Sequence, residues 1–357
     1  MTEYYILAIN PGSTSTKIAL FRESEVCFAK TIRHSSEELH PFRRVTDQFE
    51  FRKDIILKEL KDAGINLDKI SAIVGRGGLL RPIESGIYEV NEKMKSDLLN
   101  NTLGEHASNL GGLIADDIAK SFTNAKAYIV DPIVVDELHD VARISGHPLI
   151  DRISIFHALN QKAIARTHAK SLSRKYEDLN LIIAHMGGGI SVGAHRKGRV
   201  IDVNQALDGD GPFSPERSGS LPMGAFARLC YCGKYTYQEV KQMVTGKGGL
   251  VAYLNTNNAY EVETKARGGD TKAKLIQDAM SYQITKEIGA QAAVLKGDVD
   301  AILLTGGLAY NSDLVHYIKE VVSFIAPVVV YPGEDEMTAL AMNGLMVIKG
   351  ELICKEY

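Results

Sequence analysis

The residues best suited to chemistry lie in two hairpins of the same unusual make. The first reads Ile6-Leu7-Ala8-Ile9-Asn10-Pro11-Gly12-Ser13-Thr14-Ser15-Thr16-Lys17-Ile18-Ala19-Leu20, the second Leu181-Ile182-Ile183-Ala184-His185-Met186-Gly187-Gly188-Gly189-Ile190-Ser191-Val192-Gly193-Ala194. In each, a short apolar run enters a tight turn and an alternating strand leaves it. A charged turn follows, Arg22-Glu23-Ser24-Glu25 in one and Arg196-Lys197-Gly198-Arg199 in the other. Turns of this kind aim backbone N–H groups and hydroxyls, here those of Ser13 and Thr14, at phosphate oxygens, and Lys17 adds charge. The GxxxxGK[ST] pattern of a Walker A loop is absent. The alternative is a plain β-turn, which favours the same residue types for backbone reasons. Gly187-Gly188-Gly189 carries an entropic cost in a strand. Close approach of an anion explains it, and so does a bulge. A third turn, Thr305-Gly306-Gly307, follows a buried-type strand and precedes a helix near Ser312. It suits a flat base against the backbone and an anion near the helix start, or simply a turn needing small residues. Together the three turns suggest two related domains whose phosphate-gripping hairpins face across a cleft, an arrangement for a nucleoside triphosphate.

Other candidates are weaker singly. The loop Asp208-Gly209-Asp210-Gly211-Pro212-Phe213-Ser214-Pro215-Glu216-Arg217-Ser218-Gly219 is rich in breakers and charge, a composition of surface or functional loops. Arg217 in it either grips an anion or pairs with Glu216 or Asp210. Asp131 ends an apolar strand, where open α/β sheets place ligands. His157 opens a helix and can cap it or act. Glu334, Asp335 and Glu336 stand at a helix start, where the macrodipole favours acids in any case. His106, His139 and His147 lack partners at metal spacing.

These residues need elements to hold them. Strand-like and helix-like segments alternate throughout, which predicts an α/β fold. Phe49, Ile56, Leu60 and Ala63 share one face of a helix over 47–63. Ile70-Ser71-Ala72-Ile73-Val74 reads as a strand running into Gly75-Arg76-Gly77-Gly78. Helices are predicted over 105–122, 156–176 and 270–296, and strands over 127–130, 301–304 and 328–331. The irregular stretch 146–154 is the expected boundary. The first domain is then 1–150 with a returning C-terminal helix over about 337–357, and the second is 151–336.

At 357 residues the chain fits two domains. Net charge of -3, with basic residues scattered, gives no footprint for nucleic acid. No apolar run approaches the roughly 20 residues of a membrane span, and no basic-then-apolar leader opens the chain. Cys27, Cys230, Cys232 and Cys354 form no metal or redox pattern and read as reduced thiols, so a cytoplasmic setting is expected.

End to end, the chain resembles the acetate, propionate and butyrate kinase family of the actin- and hexokinase-like (ribonuclease-H-like) superfamily, and most closely its butyrate branch. The resemblance is carried by 10–17, by His185-Met186-Gly187-Gly188-Gly189, by Glu216-Arg217-Ser218-Gly219 and by Thr305-Gly306-Gly307. Asn91-Glu92, Gly104-Glu105-His106-Ala107-Ser108-Asn109 and Ile155-Phe156-His157-Ala158-Leu159-Asn160 point to the butyrate branch in particular. It implies reversible phosphoryl transfer between ATP and a short-chain fatty acid, giving the acyl phosphate and ADP, in a homo-oligomer of two or more chains. By position, Asn10 and Glu336 correspond to the pair that places Mg²⁺ and the phosphates. Asp131 corresponds to the cleft aspartate, His157 to the histidine that steadies the moving phosphoryl group, and Arg217 to the arginine that grips it. His185 to Gly189 would hold the β- and γ-phosphates, and Gly306-Gly307 the adenosine.

One departure stands out. Acetate kinases carry a carboxylate-binding arginine four positions before a His-Gly-Gly turn, where this chain has Ile73. Either Arg76 takes the carboxylate from a shifted position or another residue does, and an apolar Ile73 is also compatible with a pocket for a longer alkyl tail. A nucleotide-binding sensor or ATPase and a sugar kinase on the same fold are the other readings. The first usually carries an appended recognition module, and the second needs a base beside a hydroxyl.

Overall fold

The first hairpin closes as its pattern predicts. β1 (Tyr5–Pro11) pairs antiparallel with β2 (Ser15–Arg22), placing Asn10 opposite Lys17, and β2 pairs antiparallel with β3 (Glu25–Arg33). On the other side β4 (Ile70–Arg76) lies parallel to β1, and β6 (Lys126–Val130) parallel to β4. The short β5 (Ile87–Glu89) closes the edge, giving the order β3-β2-β1-β4-β6-β5. Consecutive residues Ile6, Leu7, Ala8 and Ile9 are all buried although they point to alternate faces. Both faces are therefore covered, by the helices Asn109–Lys120 and Glu336–Ile348, and such strands read as unbroken apolar runs.

The second sheet repeats the scheme. β7 (Asn180–Met186), β8 (Ile190–Arg196) and β9 (Arg199–Val203) form an antiparallel meander, and β10 (Ala301–Gly306) and β11 (Val328–Pro332) add in parallel, in the order β11-β10-β7-β8-β9. Alternation along β7 divides the core. Ile182, Ala184 and Met186 pack with Ile276, Met280, Ile284 and Ile288 of the helix Thr271–Val294. Leu181 and Ile183 pack with Ala165 and Ala169 of the helix Ala158–Ser171. Aside from β5, the two sheets share strand order and sense, as expected of duplicated actin/hexokinase-like domains.

This is a computed structural model that describes residues 3–102, 104–122 and 125–357. Its two units are Met1–Val135 with Asp335–Tyr357, and Asp136–Glu334. The divisions thus fall at Val135/Asp136 and Glu334/Asp335, not at 150/151 and 336/337. The reason is bonding just past Val135: Glu137 pairs with Lys162 and accepts from the Val200 N–H, and the His139 N–H donates to Ile201 O. At the other junction Asp335 caps the helix Glu336–Ile348, which packs on β1 and β4. The expected C-terminal helix over 337–357 stops at Ile348. Gly350 takes a left-handed φ of 73°, and the tail then returns to β5, where the Lys355 N–H donates to Ile87 O. The strand expected to end at Val74 runs on through Arg76. Ile73 sits in its middle, fully buried between Leu7 and Ala127, which removes it as a wall of an open pocket.

Arg52 holds the turn of the first hairpin from beneath. It lies on the helix Phe49–Asp62, is 1% exposed, and its guanidinium donates to Gly12 O, Ser13 O, Ser15 O, Thr16 Oγ1 and Gln48 Oε1 at 2.8–3.2 Å. Burial draws its pKa down to about 10, so it stays charged at neutral pH. Replacing it leaves the buried acceptors Thr16 Oγ1 and Gln48 Oε1 and three part-buried carbonyls without this donor, each buried one costing about 1–3 kcal/mol. Arg52→Met is expected to lose about 3 kcal/mol or more of stability in urea denaturation. Arg52→Lys should recover little, since an ammonium cannot reproduce a planar fork of donors.

Candidate functional site

In the first unit three strand and helix ends converge on one carboxylate. Asn10 is the penultimate residue of β1, Arg76 the last of β4, and Glu336 the first of its helix. Glu336 Oε2 accepts from Asn10 Nδ2 at 2.6 Å and from Arg76 NH1 at 3.1 Å, while Asn10 Oδ1 lies 3.4 Å from the same NH1. Asn10 and Glu336 are buried. A buried carboxylate needs such partners, and the helix N-terminus favours it further. These bonds use only NH1 of Arg76, leaving the Nε and NH2 edge of the fork. Ser13, Thr14 and Lys17 are exposed beside this cluster along the hairpin.

Asp131 follows β6 in a left-handed conformation, φ 36°, and is buried. Its Oδ1 accepts from Ser85 Oγ at 2.6 Å and Gly86 N at 2.8 Å, so the side chain fastens the 85–86 turn, and its strained backbone is held by these contacts. Among the described residues no three His, Cys, Asp or Glu side chains gather as a metal cluster. Mg²⁺ commonly takes one or two protein oxygens with water and substrate phosphates. Glu336 and the amide oxygen of Asn10 fit that minimal donor set.

In the second unit His185 occupies the place on β7 that Asn10 has on β1. It is buried, with Nδ1 2.8 Å from Asn160 Oδ1 and Nε2 3.1 Å from Glu334 Oε1. His157, at the cap of the helix Ala158–Ser171, stacks on it with ring centroids 3.8 Å apart and an interplanar angle of 11°. His157 Nδ1 is 2.9 Å from Ser191 Oγ. Asn160 and Ser191 thus join the two histidines although the sequence reading did not select them, and Glu334, named there only for its place at a helix start, bonds to His185. Asn160 and Ser191 did lie inside the singled-out segments.

The glycines have different reasons. A Cβ on Gly189 would lie 1.8 Å from Arg217 NH1, and one on Gly306, whose φ is 89°, 2.3 Å from Met186 O. Gly306 is required by backbone packing, whereas a side chain at 189 would push the Arg217 guanidinium from its place. A Cβ on Gly188 or Gly307 would meet nothing within 4 Å. Those two positions keep backbone open, so no packing contact requires a glycine at either. Ser214 Oγ donates to Gly188 O at 2.6 Å and anchors the turn. Arg217 is half-buried and donates to Ala206 O, and it has no carboxylate ion pair among the described residues. Burial lowers its pKa, with Glu216 opposing, and as a guanidinium it remains a cation.

The sequence model of the acetokinase family matches residues 147–326. Butyrate kinase 2 and butyrate kinase 1 of Clostridium acetobutylicum are each 58% identical to this chain, over 355 and 354 residues, with 99% of both chains covered in each case. Among solved structures, the acetate kinase of Porphyromonas gingivalis superposes with a TM-score of 0.78 at 18% identity, covering 97% of this chain and 100% of its own. A propionate kinase from Francisella tularensis gives 0.72 at 21% identity, covering 96% and 99%. These two likenesses concern the fold.

The contrast between the glycines is directly measurable. Gly306→Ala is expected to destabilise by about 2 kcal/mol or more, from a left-handed backbone and a backbone clash. Gly188→Ala should change stability by less than about 0.5 kcal/mol and yet weaken nucleotide binding at least tenfold. Thermal unfolding and ATP titration on both variants test this.

Proposed function

Because the chain belongs to the acetokinase family, we propose that it transfers a phosphoryl group reversibly between ATP and a short-chain fatty acid, butyrate or a branched analogue, forming the acyl phosphate and ADP. The observation that carries this reading is the end-to-end likeness to two butyrate kinases, which bears on reaction and substrate class together. The accepting carboxylate is ionised at neutral pH, so no general base is needed. The difficulty is bringing one anion onto another, and positive charge with exact placement meets it.

In this reading Arg217 grips the transferred phosphoryl group, since its charge has no carboxylate partner to neutralise it. His157 donates to an oxygen of the same group. His185 to Gly189 line the β- and γ-phosphates, Gly306 and Gly307 the adenosine, and Ser13, Thr14 and Lys17 the phosphate side of the first unit. Arg76 offers its remaining Nε and NH2 edge to the substrate carboxylate, the role left open by Ile73. Asp131 acts by holding the 85–86 turn. Glu336 and Asn10 would hold Mg²⁺, which when bound supplies further neutralisation of phosphate charge.

The four cysteines are free, which suits a cytoplasmic setting, and no helix among the described residues is long and apolar enough to cross a membrane. Exposed apolar side chains in the second unit, among them Val141, Ile144, Leu149 and Met223, support self-association as a dimer or larger.

The test is hydroxamate formation from ATP, Mg²⁺ and hydroxylamine across acetate, propionate, butyrate, isobutyrate and isovalerate. Product is expected to peak at four or five carbons, and Arg217→Ala should lower kcat on the order of 10²–10³-fold. No hydroxamate with any acid, despite measurable ATP binding, would overturn the reading.

A further inference from the structure

We infer that Gln161 and His195 are positioning residues that fix the imidazole of His157 in one tautomer, with its hydrogen on Nε2. The inference rests on the role proposed for His157, but the hydrogen-bond argument does not use that role.

A chain of buried polar groups runs from Tyr176 to His157, and one carbonyl sets its direction. The side-chain nitrogen of Gln161 lies 3.0 Å from Ser191 O and 2.8 Å from Ser191 Oγ. A backbone carbonyl only accepts, so the amide nitrogen must face it and the amide has no second orientation. Gln161 Oε1 therefore faces His195 Nε2, 2.8 Å away, and that nitrogen must carry a hydrogen. His195 is fully buried, and the nearby Lys162 ammonium disfavours a second charge, so the ring is neutral. Its Nδ1 is then an acceptor, and the Tyr176 hydroxyl, at 2.6 Å, donates to it.

At the other end the count closes on Ser191. A hydroxyl has two lone pairs and one hydrogen. Ser191 Oγ receives the Gln161 amide, and the backbone N–H of His157 reaches the same oxygen at 3.4 Å. With both lone pairs engaged, its hydrogen goes to His157 Nδ1, 2.9 Å away. A neutral His157 that accepts at Nδ1 carries its hydrogen on Nε2, which is the form that donates to a phosphoryl oxygen.

The backbone makes room for this link. Gly193 lies within β8, where a glycine weakens the strand. A Cβ there would fall 2.7 Å from Gln161 Oε1 and 3.3 Å from His195 Nε2. The glycine is required by the Gln161–His195 hydrogen bond, not by a turn.

The experiment is ¹⁵N NMR of the histidine rings in the full-length protein near neutral pH, assigned with His157→Ala, alongside steady-state kinetics of Gln161→Met and Gly193→Ala. The wild type is expected to show His157 as the pure Nε2–H form. Both variants should give averaged or reversed ring shifts, with kcat lower by about tenfold or more and KM for ATP within about twofold. Should Gln161→Met fail to fold, Gly193→Ala breaks the same link from the strand side, and the wild-type spectrum alone remains decisive. An Nδ1–H form in the wild type, or unchanged His157 shifts in a folded variant, overturns the inference. If the shifts behave as expected but His157→Ala leaves kcat intact, the proposed role of His157 fails and the tautomer assignment stands.

Discussion

The first unit depends on a carboxylate that arrives late in the chain. Glu336 lies 326 residues beyond Asn10 and 260 beyond Arg76, and it bonds to both. Removed from water alone, such a group would cost several kcal/mol. Placed at a helix N-terminus against an amide and a guanidinium, it is a tolerable component of the core. Without it, Arg76 would be the uncompensated charge at the end of β4, and Asn10 would lose its acceptor. The apolar contacts of Leu340, Ala341 and Leu345 make this return of the chain favourable, because they cover β1 and β4 on one side. Local strand pairing therefore builds the sheet, but the site in it is finished only by the last helix.

The second unit uses the same topology for a different end. The penultimate residue of the first hairpin strand is Asn10 in one unit and His185 in the other, and each is bonded to a glutamate, Glu336 or Glu334. Across the hairpin, Asn10 faces Lys17 and His185 faces Ser191. The strand that follows in the sheet ends in Arg76 in one case and in Gly306 in the other. Duplication has supplied equivalent positions at strand ends, and the residue types there differ. One unit is polar and charged at its strand ends. The other keeps backbone open at Gly188 and Gly307 and has two stacked imidazoles and an arginine at its hairpin.

Periodicity and turn chemistry made the strands, the long helices and the two hairpins legible, because those features are local. The glycine turns were legible as a group. Their separate reasons were not, since Gly189 is fixed by Arg217 and Gly306 by Met186, contacts between segments distant in sequence. Arg52 leaves a trace in the sequence. It lies three residues after Phe49 and four before Ile56, on the apolar face of its helix, where an arginine needs an explanation. Gln161 and His195 left less, because a buried amide and imidazole are recognised by partners on other elements. The domain division was misplaced for the same reason. Proline and irregularity at 146–154 mark a loop, whereas the decision lies in what Glu137 and His139 bond to.

Three arginines show why residue type alone cannot assign a role. Arg52 is enclosed by carbonyl and amide oxygens, so its fork is spent on shaping a turn. Arg76 shares its charge with a buried carboxylate, which lowers the net field it presents to a second anion while leaving one edge for directional bonds. Arg217 donates to the carbonyl of Ala206. Desolvation makes its charge costly, and in a less polar setting the same charge attracts an anion more strongly than it would in water. The three guanidiniums thus differ in what their surroundings leave: a fork spent on a turn, a charge shared with one carboxylate, and a desolvated charge bonded to a carbonyl.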